Sequence, residues 1–305
     1  MKSDLRVIDI LHALDEAFPF AHAHKGDQVG LLIGDANVEV EGVLVALDPA
    51  LDTIARAAEL GANVIVSHHP IRFSSPDSGR YFNVTHVANT YPERVLTAAI
   101  KAGVAIIAAH TNVDVDSQVR RYWGDRLGFE HVGSLPAIVT ELGLPREKDE
   151  QNVADAYGEL WRVAQTSGRA GAQTGDTARS LKQIAVEVAG LTGDSVKMYG
   201  DGDTVIEVVV TATGSGGGRV AEAQVAGVDL IISGEFGYHA ALAAVESGLS
   251  LIEMGHDVSE LPLVDFIADA IVERTGIASD KLHKEDRPKL WQSVINGAGA
   301  EVEAG

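Results

Sequence analysis

The chain repeatedly places a short, wholly apolar run directly after a helical stretch that closes on glycine. Leu51–Leu60 has helical spacing and ends at Gly61, and Val64-Ile65-Val66-Ser67 follows. Pro92–Ala102 is helical, Gly103 closes it, and Val104–Ala109 follows. A strand with no polar face has nowhere to lie except in a sheet covered on both sides. Such strands separated by helices specify an α/β fold with mostly parallel sheets. Glycine suits the left-handed residue that ends each helix.

Gly42–Leu47 adds another strand to the first half, and the second half repeats the theme. Ile184–Ala189 and Val205–Thr211 read as strands, Arg219–Val225 as a helix closed by Gly227, and Val228–Ser233 and Leu249–Met254 as strands flanking an Ala240–Glu246 helix. The run from Leu60 to Ser67 overlays that from Ala226 to Ser233, and Gly103–Ile107 overlays Gly248–Ile252. The expectation is two similar α/β lobes with mostly parallel sheets, at residues 1–125 and 181–305. A connecting segment, 126–180, joins them; from about Leu144 to Thr177 it is rich in charge, Gly, Ala and Thr, as in Arg146–Gln151 and Ser167–Thr177, and partly helical around Val153–Val163. Leu5, Ile8, Leu11 and Leu14 are spaced for an N-terminal amphipathic helix, and the tail from Gly297 reads as disordered.

Asp plus Glu number 44 against 24 Lys plus Arg, a net charge of −20. A nucleic-acid backbone or an anionic membrane needs clustered basic residues, so neither is the main partner. The chain has no cysteine, which removes disulfides and thiolate metal sites. No apolar stretch reaches membrane-spanning length. Asp9 and His12 interrupt any leader-type apolar region, so the protein is expected in the cytoplasm.

Four of the apolar runs end in residues that bind metals. His68-His69 follow Ser67, and His110 and Asp114 follow Ala109. Glu235 follows Ser233, and His256 and Glu260 follow Met254. Strand C-termini are where α/β proteins build sites. Imidazoles and carboxylates without thiols suit hard or borderline divalent ions. His256 and Glu260, at i and i+4, share a helix face, and Glu260 has two oxygens with which to bridge two ions. Glu235 and His239 form a second such pair, each read either as a group that supports a ligand from behind or as a proton carrier. Gly214-Ser215-Gly216-Gly217-Gly218 precedes a helix, where an anion or a simple turn would fit. It does not complete G-x-G-x-x-G, because Arg219 stands last. Asp27-Gln28-Val29-Gly30-Leu31 reads as a turn into a short strand, and Asp48-Pro49 as a turn or a carboxylate beside the site.

Taken in order, Val66–Pro70, His110–Asp114, Ile232–Glu235 with Tyr238-His239, and Gly255-His256 with Glu260 resemble the NIF-three-like dinuclear-metal hexameric proteins. These are often labelled GTP cyclohydrolase I type 2 homologues. Asp27–Leu31 and Val45–Asp48 resemble that family's N-terminal motifs. The resemblance runs from about Leu5 to Leu290. It implies two lobes with a two-metal site at their interface, a toroidal homohexamer, and His68, His69, Asp114, His256 and Glu260 as ligands, with Glu260 bridging. Two positions depart from the family pattern: Gly26 stands where Trp is usual, and Glu235 where Asp is usual.

Two ions about 3.5–4 Å apart can activate water and clamp a substrate oxygen. The expectation is therefore a metal-dependent hydrolase of C–N or phosphoester bonds in a small molecule, with two Zn, Fe, Mn or Ni ions per subunit. Glu235 and His239 would move protons. The competing expectation is a metal-dependent oligomeric scaffold or regulator without turnover.

Overall fold

Helix α1 (Val7–Ala17), strand β1 (Gly30–Ile33), β2 (Val43–Ala46), α2 (Leu51–Glu59), β3 (Val64–Ser67), α3 (Tyr91–Ala102) and β4 (Ala105–Ala108) open the chain. Two short helices follow, α4 (Thr111–Asp114) and α5 (Ser117–Arg126). Then come β5 (Glu130–Ser134), α6 (Leu135–Glu141), β6 (Glu159–Arg162), β7 (Arg179–Ser180), α7 (Leu181–Thr192), β8 (Lys197–Tyr199), β9 (Val205–Ile206) and β10 (Val208–Thr211). The last elements are α8 (Val220–Val225), β11 (Leu230–Ser233), α9 (Tyr238–Glu246), β12 (Ser250–Glu253), α10 (His256–Thr275) and β13 (Leu282–Lys284). The structure, a computed structural model, describes residues 5–71, 90–141, 157–163 and 178–285. The readings of Arg146–Gln151, Ser167–Thr177 and the tail lie outside these residues.

The first sheet has the order β1-β4-β3-β2-β13. It is parallel except for β1, which runs antiparallel to β4. The second has the order β5-β6-β10-β11-β12-β8. Its centre, β10-β11-β12, is parallel; β6 and β8 flank it antiparallel, and β5 pairs antiparallel with β6. The matching runs become matching units. Gly61 and Gly227 (φ 67° and 69°) each precede a buried strand, β3 or β11. Val64 sits opposite Ala105 as Leu230 sits opposite Ser250.

Each parallel core is buried on both faces, as wholly apolar strands require. Val43, Val45, Val64, Val66 and Ile107 share one cluster, and Leu44, Ile65 and Ile106 the other. Leu230 and Ile232 likewise part from Ile231 and Leu251.

Three local readings need correction. Ile184–Ala189 is helical, within α7, and not a strand. Its alternating β-branched residues imitate one. Yet Ser180 caps the helix with Gln183, and Leu181, Ile184, Ala185 and Val188 bury one helical face. The helix expected around Val153–Val163 is, where the chain is described, strand β6 over Glu159–Arg162. The N-terminal helix exists, but its buried face is Val7, Ile10, Ala13 and Leu14. Helix α1 packs its stripe on α10, so the neighbour selects the face.

Sheet membership crosses the divisions expected at residues 125 and 180. Strands β5 and β6 complete the second sheet, while α10 and β13 return to the first. Helix α10 thus starts at the end of β12 in one sheet and buries Leu263, Val264, Ile267 and Ile271 against the core of the other. That single helix carries His256 and Glu260 to the end of β3.

Candidate metal centre

Adjacent residues on a regular strand would point His68 and His69 to opposite faces. Strand β3 stops at Ser67, and the chain turns there, with Ser67 Oγ donating to the His69 carbonyl at 2.8 Å. The two imidazoles then lie with centroids 5.0 Å apart. Helix α4, a single buried turn after β4, brings in Asp114, and the first turn of α10 brings in His256 and Glu260.

Among the described residues, two donor sets share Glu260: His68 with Asp114, and His69 with His256. Glu260 divides its oxygens between them. His68 Nε2 is 4.0 Å from Oε1, while His69 Nε2 and His256 Nε2 are 3.0 and 3.2 Å from Oε2. His68 Nε2 is also 3.6 Å from Asp114 Oδ1. His68, Asp114 and Glu260 are buried. A third set combines His68, His69 and His110.

Each histidine is oriented from behind. His68 Nδ1 lies 3.1 Å from the Ala109 carbonyl, His69 Nδ1 2.9 Å from Asp48 Oδ1, and His256 Nδ1 3.0 Å from Glu235 Oε1. These partners only accept hydrogen bonds, so each Nδ1 carries the proton and each Nε2 faces the cluster. His110 Nδ1 donates to Asp27 at 2.9 Å. Thr111 adds its amide and hydroxyl to the same carboxylate, at 3.2 and 2.5 Å. Burial acts to raise Asp27, but His110 and Thr111 hold it well below the usual carboxylate range.

Charge is uneven across the cluster. Burial pushes the His68 imidazole down to about 3. Burial also opposes charge on His69, but Asp48 and Glu260 outweigh it and raise the ring to about 10. Glu260, against burial and aided by Glu235, raises His256 to about 9. Burial and the Glu260 carboxylate push Asp114 up to about 7.

Whether the residues suit divalent ions is tested by the polar atoms that burial leaves stranded. His68 Nε2 and Asp114 Oδ1 are buried without a hydrogen-bond partner, and Glu260 Oε2 is buried with only the His69 and His256 imidazoles beside it. A buried acceptor without a donor is costly. All three point into one nitrogen-and-oxygen cluster, a donor set that suits borderline divalent ions. The residues fit.

The five sequence-predicted ligands come together. Glu235 does not enter the donor sets; it orients His256. His239 is exposed on α9, meets the ring of Tyr238 edge-on, and makes no ion pair or hydrogen bond with the cluster among the described residues. Reading the chain missed Asp27 as the partner of His110. It also missed Tyr157, whose hydroxyl donates to Asp114 Oδ2 at 3.2 Å. The need of each ligating histidine for an acceptor on its other nitrogen was the available signal for Asp27; nothing local marks Tyr157.

The Gly214–Gly218 loop belongs to the same site for a steric reason. A Cβ on Gly214 (φ +57°) would lie 2.5 Å from Glu260 Oε1, and one on Gly234 would lie 2.5 Å from the Gly214 carbonyl. The Gly214 amide donates to Ser259 Oγ at 2.9 Å, and Ser259 Oγ donates to the His256 carbonyl at 2.7 Å. Backbone thus takes the room that side chains would occupy. An open cavity of about 590 Å³ borders the cluster, lined by Asp48, His69, Lys197, Glu235 and His256 among others.

The family model described as Duf34/NIF3 (NGG1p interacting factor 3) matches residues 5–282. A "GTP cyclohydrolase 1 type 2 homolog" of Streptomyces coelicolor is 29% identical over 276 residues, spanning 89% of this chain and 88% of its own. One of the same name from Clostridium perfringens is 27% identical, over 88% and 92%. The crystal structure of a hypothetical protein from Staphylococcus aureus superposes with a TM-score of 0.75 at 23% identity, over 96% of this chain and all of that one. A Bacillus cereus protein related to NIF3 gives 0.72 at 19% identity, with the same coverage.

Proposed function

Since the chain belongs to the Duf34/NIF3 family, we propose that it is a dinuclear metal-dependent hydrolase acting on a C–N or phosphoester bond of a small molecule. The observation that carries this is the division of Glu260: one buried carboxylate turns one oxygen toward His68 and the other toward His69 and His256. His68, Asp114 and Glu260 would hold one ion, and His69, His256 and Glu260 the other. Bound there, two divalent cations would supply Lewis acidity toward a substrate oxygen and acidify a water for attack. Three protein ligands per ion leave positions open, which suits catalysis rather than a structural role.

The chain's own groups do the rest. Asp48 and Glu235 hold the imidazoles of His69 and His256 in the ligating tautomer. Glu235, half exposed at the cavity rim, is also placed to carry a proton to or from a substrate there. Zn, Fe, Mn or Ni suits this donor set. A homohexamer is part of the reading, resting on the family resemblance.

The test starts with elemental analysis of protein purified without added metal, where two ions per subunit are expected. The loaded protein is then screened against nucleotides, phosphoesters and cyclic amides. His69→Ala and Glu260→Ala should each abolish metal binding and turnover together. Turnover that survives chelation would sink the hydrolase mechanism. Full metal occupancy with no turnover across the screen would favour a metal-dependent scaffold.

A further inference from the structure

Arg120, Arg121 and Arg126 all lie on α5, in a chain whose net charge is −20. With Tyr122, His131 and Phe266 they line a second open cavity of about 590 Å³. It shares no residue with the metal cluster or with the cavity beside it. Its base is already neutralised. Glu159, 3% exposed, takes Arg120 on Oε1 and His131 Nε2 on Oε2, each at 2.5 Å.

The other two arginines are laid against rings. The guanidinium carbon of Arg121 is 5.9 Å from the centroid of Trp161, and that of Arg126 is 5.9 Å from Tyr122. A ring holds the planar guanidinium in place and leaves its donor edge for an oxyanion. Arg121 also pairs with Asp125 at 3.1 Å, but both side chains are about half exposed, and such a pair is weak and easily exchanged. Among the described residues Arg126 has no carboxylate partner. Tyr122 and Phe266, edge to face with centroids 6.0 Å apart, supply an apolar wall.

Two ring-backed guanidinium forks that line one cavity can take the oxygens of a phosphate in pairs. We infer that the α5 cavity is a binding site for a small phosphorylated molecule, separate from the metal centre, with its phosphate on Arg121 and Arg126. Neither residue touches the metal cluster, so the inference does not depend on the proposed hydrolase activity.

Inorganic phosphate and pyrophosphate are titrated calorimetrically into the full chain, metal-loaded and after chelation. A saturable site should persist after chelation, because it needs no ion. The double variant Arg121→Gln/Arg126→Gln should weaken that site by at least about tenfold, the loss of two charge-assisted contacts. Metal content and assembly mass should be unchanged. In the unaltered protein, pyrophosphate should protect Arg121 and Arg126 from phenylglyoxal, read by peptide mapping, which keeps the test independent of how the variant folds. The inference is overturned if chelated protein binds neither anion, if pyrophosphate leaves both arginines reactive, or if the double variant binds as well as the parent. A fall in assembly mass in the variant would also overturn it, since the cavity would then be a contact between copies of the chain.

Discussion

Replacing Gly214 with alanine should strip the cluster of metal without touching a ligand. Gly214 sits at φ +57°, and an added Cβ would stand 2.5 Å from Glu260 Oε1 and 3.5 Å from the His256 ring. Left-handed backbone costs alanine about 1–2 kcal/mol. To restore ordinary contact, Oε1 must retreat by about 1 Å. Metal sites tolerate displacements of about 0.2 Å, so the bridging position would be lost. Because Glu260 belongs to both donor sets, both ions should leave together. Elemental analysis reads the stoichiometry, and thermal unfolding with and without metal reads the coupling. Unfolding of metal-free Gly214→Ala should fall by about 2–8 °C, at about 2–4 °C per kcal/mol for a chain of this size. The added stability that metal gives the parent should vanish. Gly218→Ala, in the same loop with nothing within 4 Å, is the control and should behave as the parent. If Gly214→Ala holds its two ions, the glycine does not fix Glu260 and the reasoning fails.

Asp48→Ala should keep the number of ions but weaken binding by about 10–100-fold, measured by competition with a chelator, because His69 loses the acceptor that fixes its tautomer. Metal loading at pH 7 should release protons, since His69 and His256 titrate at about 10 and about 9 in the metal-free protein and must ligate as neutral rings. Calorimetry in buffers of different ionisation enthalpy counts them; no release would contradict these charges. Both folded values lie above the ordinary 6.5, so the stability they contribute is full below about pH 6.5 and fades as pH rises toward 9–10; thermal unfolding of chelated protein across that range should fall. Gly124→Ala, in the last turn of α5, should destabilise by about 1–3 kcal/mol in denaturant melts even though alanine is the better helix former, because its Cβ would overlap the Trp161 ring at 2.1 Å.

The five residues of the donor sets were legible because each lies just beyond a strand whose composition admits one environment. An all-apolar run must be interior, so the sheet positions the residues at its end. Glu260 was legible for a second reason, its i+4 spacing from His256. Residues that act through others were harder to see. Asp27 lies 83 residues from His110, and Tyr157 lies 43 from Asp114; no periodicity links such pairs. The i+4 spacing of His239 from Glu235 does not put the two on one helix face, because α9 begins only at Tyr238. The Gly214 loop read as a turn or an anion cradle, since sequence cannot distinguish glycine needed for reach from glycine needed for close approach.

By itself, then, the sequence determined the α/β class, the covered parallel strands, the exclusion of thiolate chemistry and the donor types at the strand ends. These depend on local hydrophobic pattern and side-chain chemistry, which need no distant partners. The tertiary structure decided the rest. Helix α10 leaves one sheet and packs on the other, and α1 turns its buried face to meet it. That crossing brings Glu260 between His68 and His69, and it lets Asp48, Ala109 and Glu235 choose which nitrogen of each histidine faces inward. Convergence of this kind is set by packing between segments far apart in the chain, where local pattern carries no information.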